Sequence, residues 1–421
     1  MTGSTPTRSS RREDLRLLLL FGGLYFVQGV VEPTECLPSQ PLQTSLRTLG
    51  LRTADIGTYL GVIGLAWSLK PAYGALSDFF PLFGKHRWWY LVVSTAACGL
   101  GFAALAMSWG NANAVLPGRW LLLSVGVAIA FSDVVIDAVA VEQGNPRGLT
   151  GRIQAVQWGA NSLATVLAGL LGGWLAERKG LSTAFGLCAV FGFASFALVL
   201  AVYREPRGRD RPTDNLRTAL SELRVGNRVA ILAAVAAFLF LWNFNPFTRS
   251  VLQTYSTEEL GFSQQFYGAL VSVQAVAEVG ACVLYGFICR RIAFGKLLHI
   301  SILTGIASTL AYLFMIDRVS AVAANIVFGF TYQLGMLVTM DLAARACPIA
   351  SAGTTFAILM AVCNTALSAA MYLGGGWYES LGLTLGSASA GFNALVLVGA
   401  ACTAACWLVV PVMKRAGVPW D

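Results

Sequence analysis

Charged residues are scarce in this sequence: Asp, Glu, Lys and Arg make up 12% of its 421 residues, against about 25% in an ordinary soluble domain. Only two histidines are present, His86 and His299, and no HExxH, Walker or nucleophile-elbow motif occurs. The nine cysteines form no C-x-x-C pair, and most lie in apolar stretches where a thiol packs as a small hydrophobic group. A soluble enzyme and a disulfide scaffold are therefore excluded, and we expect no metal site, no cofactor and no enzymatic activity.

Long apolar blocks dominate the chain, with 56% hydrophobic residues and a mean hydropathy of +0.66. A block of about 20 apolar residues spans a bilayer as a helix. The sequence predicts an all-α polytopic membrane protein with twelve transmembrane helices. These are 17–37, 56–77, 88–108, 119–141, 152–176 and 183–203, followed by 229–254, 265–289, 295–314, 319–341, 353–375 and 391–413.

Basic residues alternate in density along the predicted loops. With the N-terminus inside, inner segments hold 21 Lys and Arg, whereas outer loops hold 6. Such a bias places both termini in the cytoplasm. The predicted organisation is a cytoplasmic tail (1–16), a six-helix bundle (17–203), a cytoplasmic linker (204–228), a second six-helix bundle (229–413) and a cytoplasmic tail (414–421). The net charge of +8 follows from this topology, so no nucleic-acid partner is expected.

The two halves of the sequence resemble each other. Gly172-Gly173-Trp174 returns as Gly375-Gly376-Trp377, Asn161 as Asn364, and Pro33 as Pro246, at nearly constant offsets. A duplicated six-helix unit predicts two pseudo-symmetric bundles that face each other, with a binding site between them near the middle of the bilayer. We expect the site to take a small molecule and the protein to act as a monomer.

Ionisable residues occur inside the apolar blocks, where each costs roughly 2.5–3.5 kcal/mol at a helix centre. Salt bridges between helices explain any single one of them, but the whole set favours a polar cavity. Helix five adds Gln157 and Asn161 on one face. The intramembrane ionisable residues are Glu32, Glu35, Lys70, Asp133, Asp137, Arg249, Glu278 and Asp341.

Six of these residues are acids and two are bases, so we expect some of the carboxyl groups to be protonated. An acid that exchanges a proton as access alternates couples transport to protons. Asp133, Asp137 and Glu278 are the candidates for this role, and proton symport is favoured, although Asp133 and Asp137 could also bind a cation. Near the cytoplasmic face, we expect Asp78 to pair with Arg87 or Arg152 as an inner gate.

Three segments resemble a known family. The run from Leu69 to Gly84 (LKPAYGALSDFFPLFG), the run from Ser132 to Glu142 (SDVVIDAVAVE) and Tyr25 to Gly29 (YFVQG) are similar to helix signatures of the folate–biopterin transporters of the major facilitator superfamily. The general loop motif of the superfamily is G-x-x-x-D-x-x-G-[RK]. Gly74 and Asp78 match its first two fixed positions, but Gly84-Lys85 comes three residues later than the motif requires, as in the folate–biopterin branch. Arg290 replaces the corresponding Asp in the second half.

The resemblance implies an alternating-access carrier for folates or pterins. The donor–donor edge of a pterin suits a carboxylate, Glu32 or Glu35, and the glutamyl carboxylates of folate suit Lys70 and Arg249. The depths of the bases in their helices predict that Lys70 faces Asp133 or Asp137 and that Arg249 lies near Glu35. The predicted substrate-binding residues are Glu32, Glu35, Lys70, Gln157, Asn161, Arg249 and Asn364.

Two alternatives remain open at this stage. The chain could be a permease for another anionic or amphoteric solute, against which the helix-four signature argues. It could also be a membrane receptor that does not transport, although no loop is long enough for a soluble output domain. The short N-terminal segment favours the inner membrane of a bacterium.

Overall fold

A computed structural model describes residues 8–110, 112–144, 150–205, 227–288, 292–347 and 352–418, and their secondary structure is helical. The first half contains α1 (Arg8–Val31), α2 (Ser39–Thr48), α3 (Thr53–Ser68), α4 (Lys70–Phe79), α5 (Trp88–Ser108), α6 (Val115–Gly144), α7 (Thr150–Arg178) and α8 (Gly180–Val202). The second half contains α9 (Arg228–Asn243), α10 (Ser250–Thr254), α11 (Gln264–Ile288), α12 (Phe294–Ala311), α13 (Arg318–Ala346), α14 (Ala352–Leu385) and α15 (Ala388–Ala416).

Ten of the described helices are long and apolar enough to cross a membrane: α1, α5 to α8 and α11 to α15. The apolar helix α9 has 16 residues and falls short of that length. The predicted second span is divided between α3 and α4. The chain is thus a multi-pass integral membrane protein, and the count of twelve spans stays a prediction.

Three of the predicted helices are interrupted, and the expectation of continuous helices over 17–37, 56–77 and 229–254 is wrong. Proline explains each break, because it lacks an N–H group and its ring clashes with the preceding turn. Helix α1 ends two residues before Pro33, α9 ends three residues before Pro246, and α4 restarts with Pro71 in its first turn. The short helix α2 that follows the first break was not predicted, since ten residues give no membrane-spanning signal.

The helices of each half pack mainly on one another. Two pairs of helices join the halves extensively, α3 with α14 and α7 with α11. The sequence repeat relates α3 to α11 and α7 to α14. It therefore maps the contact of α3 with α14 onto the contact of α7 with α11. The junction between the halves is therefore itself pseudo-symmetric, as a duplicated unit requires.

Glycines of the repeated Gly-Gly-Trp motifs bring the halves into backbone contact. A β-carbon at Gly173 would lie 2.6 Å from the carbonyl oxygen of Gln264, and one at Gly375 would lie 2.2 Å from that of Thr53. Both separations are far below van der Waals contact, so neither position has room for a side chain. The motif repeats because each half contacts the other at the equivalent place.

Candidate functional site

The break after α1 is organised by a carboxylate. The side chain of Glu32 accepts hydrogen bonds from the backbone N–H of Thr34 (2.8 Å), the hydroxyl of Thr34 (2.8 Å) and the backbone N–H of Glu35 (2.6 Å). The turn that begins at Pro33 is capped by this carboxylate, which is 6% exposed. Glu32 was predicted to bind substrate, yet the chain itself already occupies most of its acceptor sites.

The equivalent break after α9 presents Arg249 to the first half. Its backbone has φ 61° and ψ −117°, in the left-handed region that costs a residue other than glycine about 1–3 kcal/mol. The guanidinium forms an ion pair with Glu35. Broken segments of the two halves thus meet through opposite charges, and the expectation that Arg249 lies near Glu35 is confirmed.

A second cluster of charges lies within the first half. The ammonium of Lys70 lies 2.6 Å from the carboxylate of Asp133, which is buried. Asp137 is exposed and accepts a hydrogen bond of 2.5 Å from the phenol of Tyr25. The expectation that Lys70 faces one of the two aspartates is confirmed, and each aspartate has a different partner and a different accessibility.

Trp67 connects the two charge clusters, and the sequence analysis missed it. Its indole N–H donates to Glu32 (3.3 Å), and the ammonium of Lys70 lies 4.7 Å from its ring centroid. Its carbonyl accepts a hydrogen bond of 3.3 Å from the amide of Asn364, which belongs to the other half. A tryptophan in an apolar helix carries no charge signal, so only the packing shows this role.

The remaining polar residues singled out in the sequence, including the predicted proton-coupling residue Glu278, are arranged less uniformly. Glu278 accepts a hydrogen bond of 2.9 Å from Gln274. Gln157 is 3% exposed, and no described group pairs with its amide nitrogen. Asn161 packs where α7 approaches Gly29 of α1. Asp341 pairs with Arg345 one turn along the same helix, at 3.2 Å, and therefore needs no partner in the cavity.

The predicted inner gate is described only for Arg87. Its guanidinium contacts the hydroxyl of Ser77 and lies 2.9 Å from Glu142. The side chains of Asp78 and Arg152 lie outside the described residues, so their pairing with Arg87 stays a prediction. Glu142 is the last residue of the signature from Ser132 to Glu142 in the sequence. Its place in that signature is the signal that could have identified it as a partner of Arg87.

Polar contacts between the halves gather at the end of the molecule that holds α2. Arg47 forms two parallel bonds of 2.5 Å with Glu258, and Gln40 donates to the side chain of Gln264 at 2.9 Å. Arg52 lies 3.7 Å from Glu379. Glu258 raises the pKa of Arg47 through this hydrogen bond. These contacts close this end, whereas Asp137, in the second cluster of charges, is exposed.

Charge reversal tests this closure. Arg47→Glu is expected to shift the population toward a state separated at this end by about two- to fivefold, because an exposed ion pair contributes up to about 1 kcal/mol. Distances between spin labels at Thr48 and Glu259, in a background without the native cysteines, measure the separation. The exchanged pair R47E/E258R is the control and should restore the short distance. Failure to restore it would show that Arg47 acts without Glu258.

Comparison with known proteins places this geometry among transporters. The family model described as "BT1 family" matches residues 34–415. A folate-biopterin transporter of Synechocystis is 28% identical over 387 residues, covering 86% of this chain and 76% of that protein. Probable folate-biopterin transporter 4 of Arabidopsis thaliana is 24% identical, covering 86% and 88%. Folate transporter 1 of Plasmodium falciparum is 20% identical, covering 79% and 68%.

Solved structures share the fold at low sequence identity. The nucleoside transporter NupG superposes with a TM-score of 0.70 at 15% identity, covering 96% of this chain and 99% of that chain. A D-xylose-proton symporter superposes with a TM-score of 0.73 at 15% identity, covering 95% and 98%. The predicted major facilitator fold is confirmed.

Proposed function

Because the chain belongs to the BT1 family, we propose that it is a secondary transporter, not an enzyme, that carries folate or a related pterin across a membrane by alternating access. The observation that carries the proposal is the ion pair between Glu35 and Arg249 at the junction of the halves. It lies where both pseudo-symmetric helices are broken, and broken helices are typical of transporter binding sites.

Arg249 is the residue that binds the carboxylate tail of the substrate. Its side chain is 27% exposed, and its partner Glu35 is 43% exposed. A substrate carboxylate can therefore reach the guanidinium and replace Glu35 there. Arginine offers a planar pair of donors to a carboxylate and stays charged when it is desolvated. Lys70 is held by buried Asp133 and is less available to a ligand.

Arg249→Lys is expected to weaken folate binding about 10-fold, because lysine keeps the charge but loses the bidentate geometry. Biopterin lacks the glutamyl tail, so its affinity should change less than about twofold. The affinities of the purified protein for folate and for biopterin, measured with and without the substitution, give the two changes. Arg345→Lys is the matched control, since Arg345 pairs with Asp341 on its own helix. Equal losses for folate and biopterin would assign Arg249 to folding or gating.

Asp137 carries the coupled proton. It is exposed, lies beside the Lys70–Asp133 ion pair and is hydrogen-bonded by Tyr25. Because contacts between the halves close the end that holds α2, we expect protons to reach Asp137 from the other end. Coupling to this site links proton release to the cavity in which the substrate binds.

Uptake of radiolabelled folate or biopterin tests the function. Cells without a carrier of their own should accumulate the label only when they express this chain. A proton uncoupler should reduce accumulation to equilibration. Uptake that ignores the uncoupler would refute proton coupling alone, whereas no uptake of either compound, with the protein correctly inserted, would favour a permease for another amphoteric solute.

The end that holds α2 faces the outside, and both termini and the linker over 204–228 are cytoplasmic. The excess of basic residues in these segments supports this orientation, in the inner membrane of a bacterial cell. The two halves of one chain supply both sides of the proposed site, so a single chain suffices to form it, and we propose the monomer as the working unit.

Cysteines introduced at Ser10 and Ala219 are expected to resist an impermeant thiol reagent in intact cells, because both positions lie in the proposed cytoplasmic segments. A cysteine at Thr48, the last residue of α2, should react and serves as the positive control. The readout is labelling before and after the cells are permeabilised. Labelling of Ser10 or Ala219 from outside would reverse the orientation.

A further inference from the structure

The intramembrane acids differ in how much of their acceptor capacity is free. Glu32 is engaged by the turn after Pro33, and Glu35, Asp133 and Asp341 each pair with a base, namely Arg249, Lys70 and Arg345. Asp137 and Glu278 each accept one hydrogen bond from a neutral group among the described residues, the phenol of Tyr25 and the amide of Gln274, and Asp137 is the proposed proton site. A carboxylate has about four acceptor sites, so Glu278 keeps most of its capacity.

Glu278 lies within electrostatic reach of the ion pair at the helix breaks. It interacts electrostatically with both Glu35 and Arg249. Its helix, α11, packs on α7 of the first half and on α13 of its own half. The half-buried side chain is thus close to the junction of the halves without being closed off from it.

Tyr332 of α13 adds a neutral polar group beside Glu278. It interacts electrostatically with Arg249, Glu35 and Glu278. Its ring is held by stacking on Trp242 (centroids 5.0 Å apart) and on Phe328 (5.2 Å). No hydrogen bond engages its hydroxyl within the described part of the chain. A fixed ring with a free hydroxyl can donate to a ligand without losing side-chain entropy on binding.

We propose that Glu278, rather than Glu32 or Glu35, binds the donor edge of the pteridine ring, with Gln274 and Tyr332 at its sides. This inference rests on the proposed function. The exocyclic amine and the adjacent ring N–H of a pterin lie side by side, and a carboxylate accepts from both at once. Gln274 holds the carboxylate in place through one oxygen and leaves the outward lone pairs for the ligand.

Specificity follows from the same contact. A lumazine ring carries an oxo group where a pterin carries the amine, so it brings an acceptor against the carboxylate. A site that is built to accept two hydrogen bonds rejects an analogue that lacks one donor, because the carboxylate is then left unpaired. Glu278 therefore selects for the 2-amino group.

The test measures displacement of labelled biopterin from purified protein by pterin and by lumazine. The wild-type protein should prefer pterin over lumazine. Glu278→Gln should weaken biopterin and pterin about 10- to 100-fold, the range for a lost charge-assisted hydrogen-bond pair, and should remove the preference over lumazine. Glu278→Asp, which keeps the charge, should retain the preference. Glu32→Gln is the competing arm and should retain it as well.

The outcomes separate the inference from the function on which it rests. A wild-type protein that binds no pterin refutes the proposed function, whatever Glu278 does. A wild-type protein that prefers pterin, together with a Glu278→Gln variant of unchanged preference, refutes the assignment of Glu278. If Glu32→Gln alone loses the preference for pterin over lumazine, the pteridine ring binds to Glu32 and not to Glu278. Size-exclusion profiles of the variants show whether each is folded, and if Glu278→Gln is not, Glu278→Met, which is neutral and of similar length, takes its place with the same expected loss of preference.

Discussion

Asp137→Asn is expected to abolish concentrative uptake and to leave exchange of substrate across the membrane intact. An asparagine has nearly the same shape as the aspartate and can still accept the hydrogen bond from Tyr25, but it does not take up and release a proton. The accumulation ratio should fall to about 1, because a carrier without a coupled ion only equilibrates its substrate. Labelled uptake under an imposed proton gradient measures the ratio, and counterflow measures the exchange.

Asp341→Asn is the matched control for this experiment. It is the same substitution in an intramembrane helix of the other half, at a residue that pairs with Arg345 on its own helix. Accumulation should persist in this variant. If Asp137→Asn also accumulates substrate against the gradient, the proton site lies elsewhere in the chain, and Asp133 becomes the first residue to test.

Asp133→Asn is expected to destabilise the protein by about 3–5 kcal/mol, toward the lower end of that range, because it leaves the charge of Lys70 buried without a partner. The side chain of Asp133 is 3% exposed and that of Lys70 is 19% exposed, so water compensates little of the loss. Removal of both charges in the double variant K70M/D133L should restore most of the stability, since a neutral pair of similar size carries no desolvation cost.

Thermal unfolding in detergent, together with the yield of monodisperse protein, measures both variants. The double variant also separates stability from transport. Restored stability with lost transport would show that the ion pair serves the transport cycle, whereas restored stability with normal transport would show that it serves folding alone. A single variant as stable as the wild type would mean that Lys70 finds another partner, and the buried-pair argument would be wrong.

Some features of the molecule follow from local chemistry and could be predicted from the sequence. Pro33 and Pro246 occupy equivalent positions of the repeat, and a helix ends shortly before each of them. The depth of Lys70 along its helix limited its partners to Asp133 and Asp137. The repeated Gly-Gly-Trp motifs indicated a duplicated unit, and they lie where the halves touch.

Other features depend on contacts between residues far apart in the chain. The sequence placed Asp133 and Asp137 on one face of one helix, but the rotation and packing of α4 and α1 decide that one is buried against Lys70 and the other is exposed beside Tyr25. Trp67 had no signal of its own, because an indole in an apolar helix looks like any core residue. Its contacts with Glu32 and Asn364 exist only once three distant chain segments pack together.

The sequence by itself therefore determined the membrane class, the duplication and the family, because hydrophobicity, repetition and short motifs are local or are counted along the chain. The tertiary structure alone decided how the acids are used. The turn after Pro33 occupies Glu32, Asp133 rather than Asp137 is buried against Lys70, and Glu278 keeps free acceptor sites. A carboxylate has the same chemistry at each position in the sequence, and only the donors that folding brings to it determine what it can still bind.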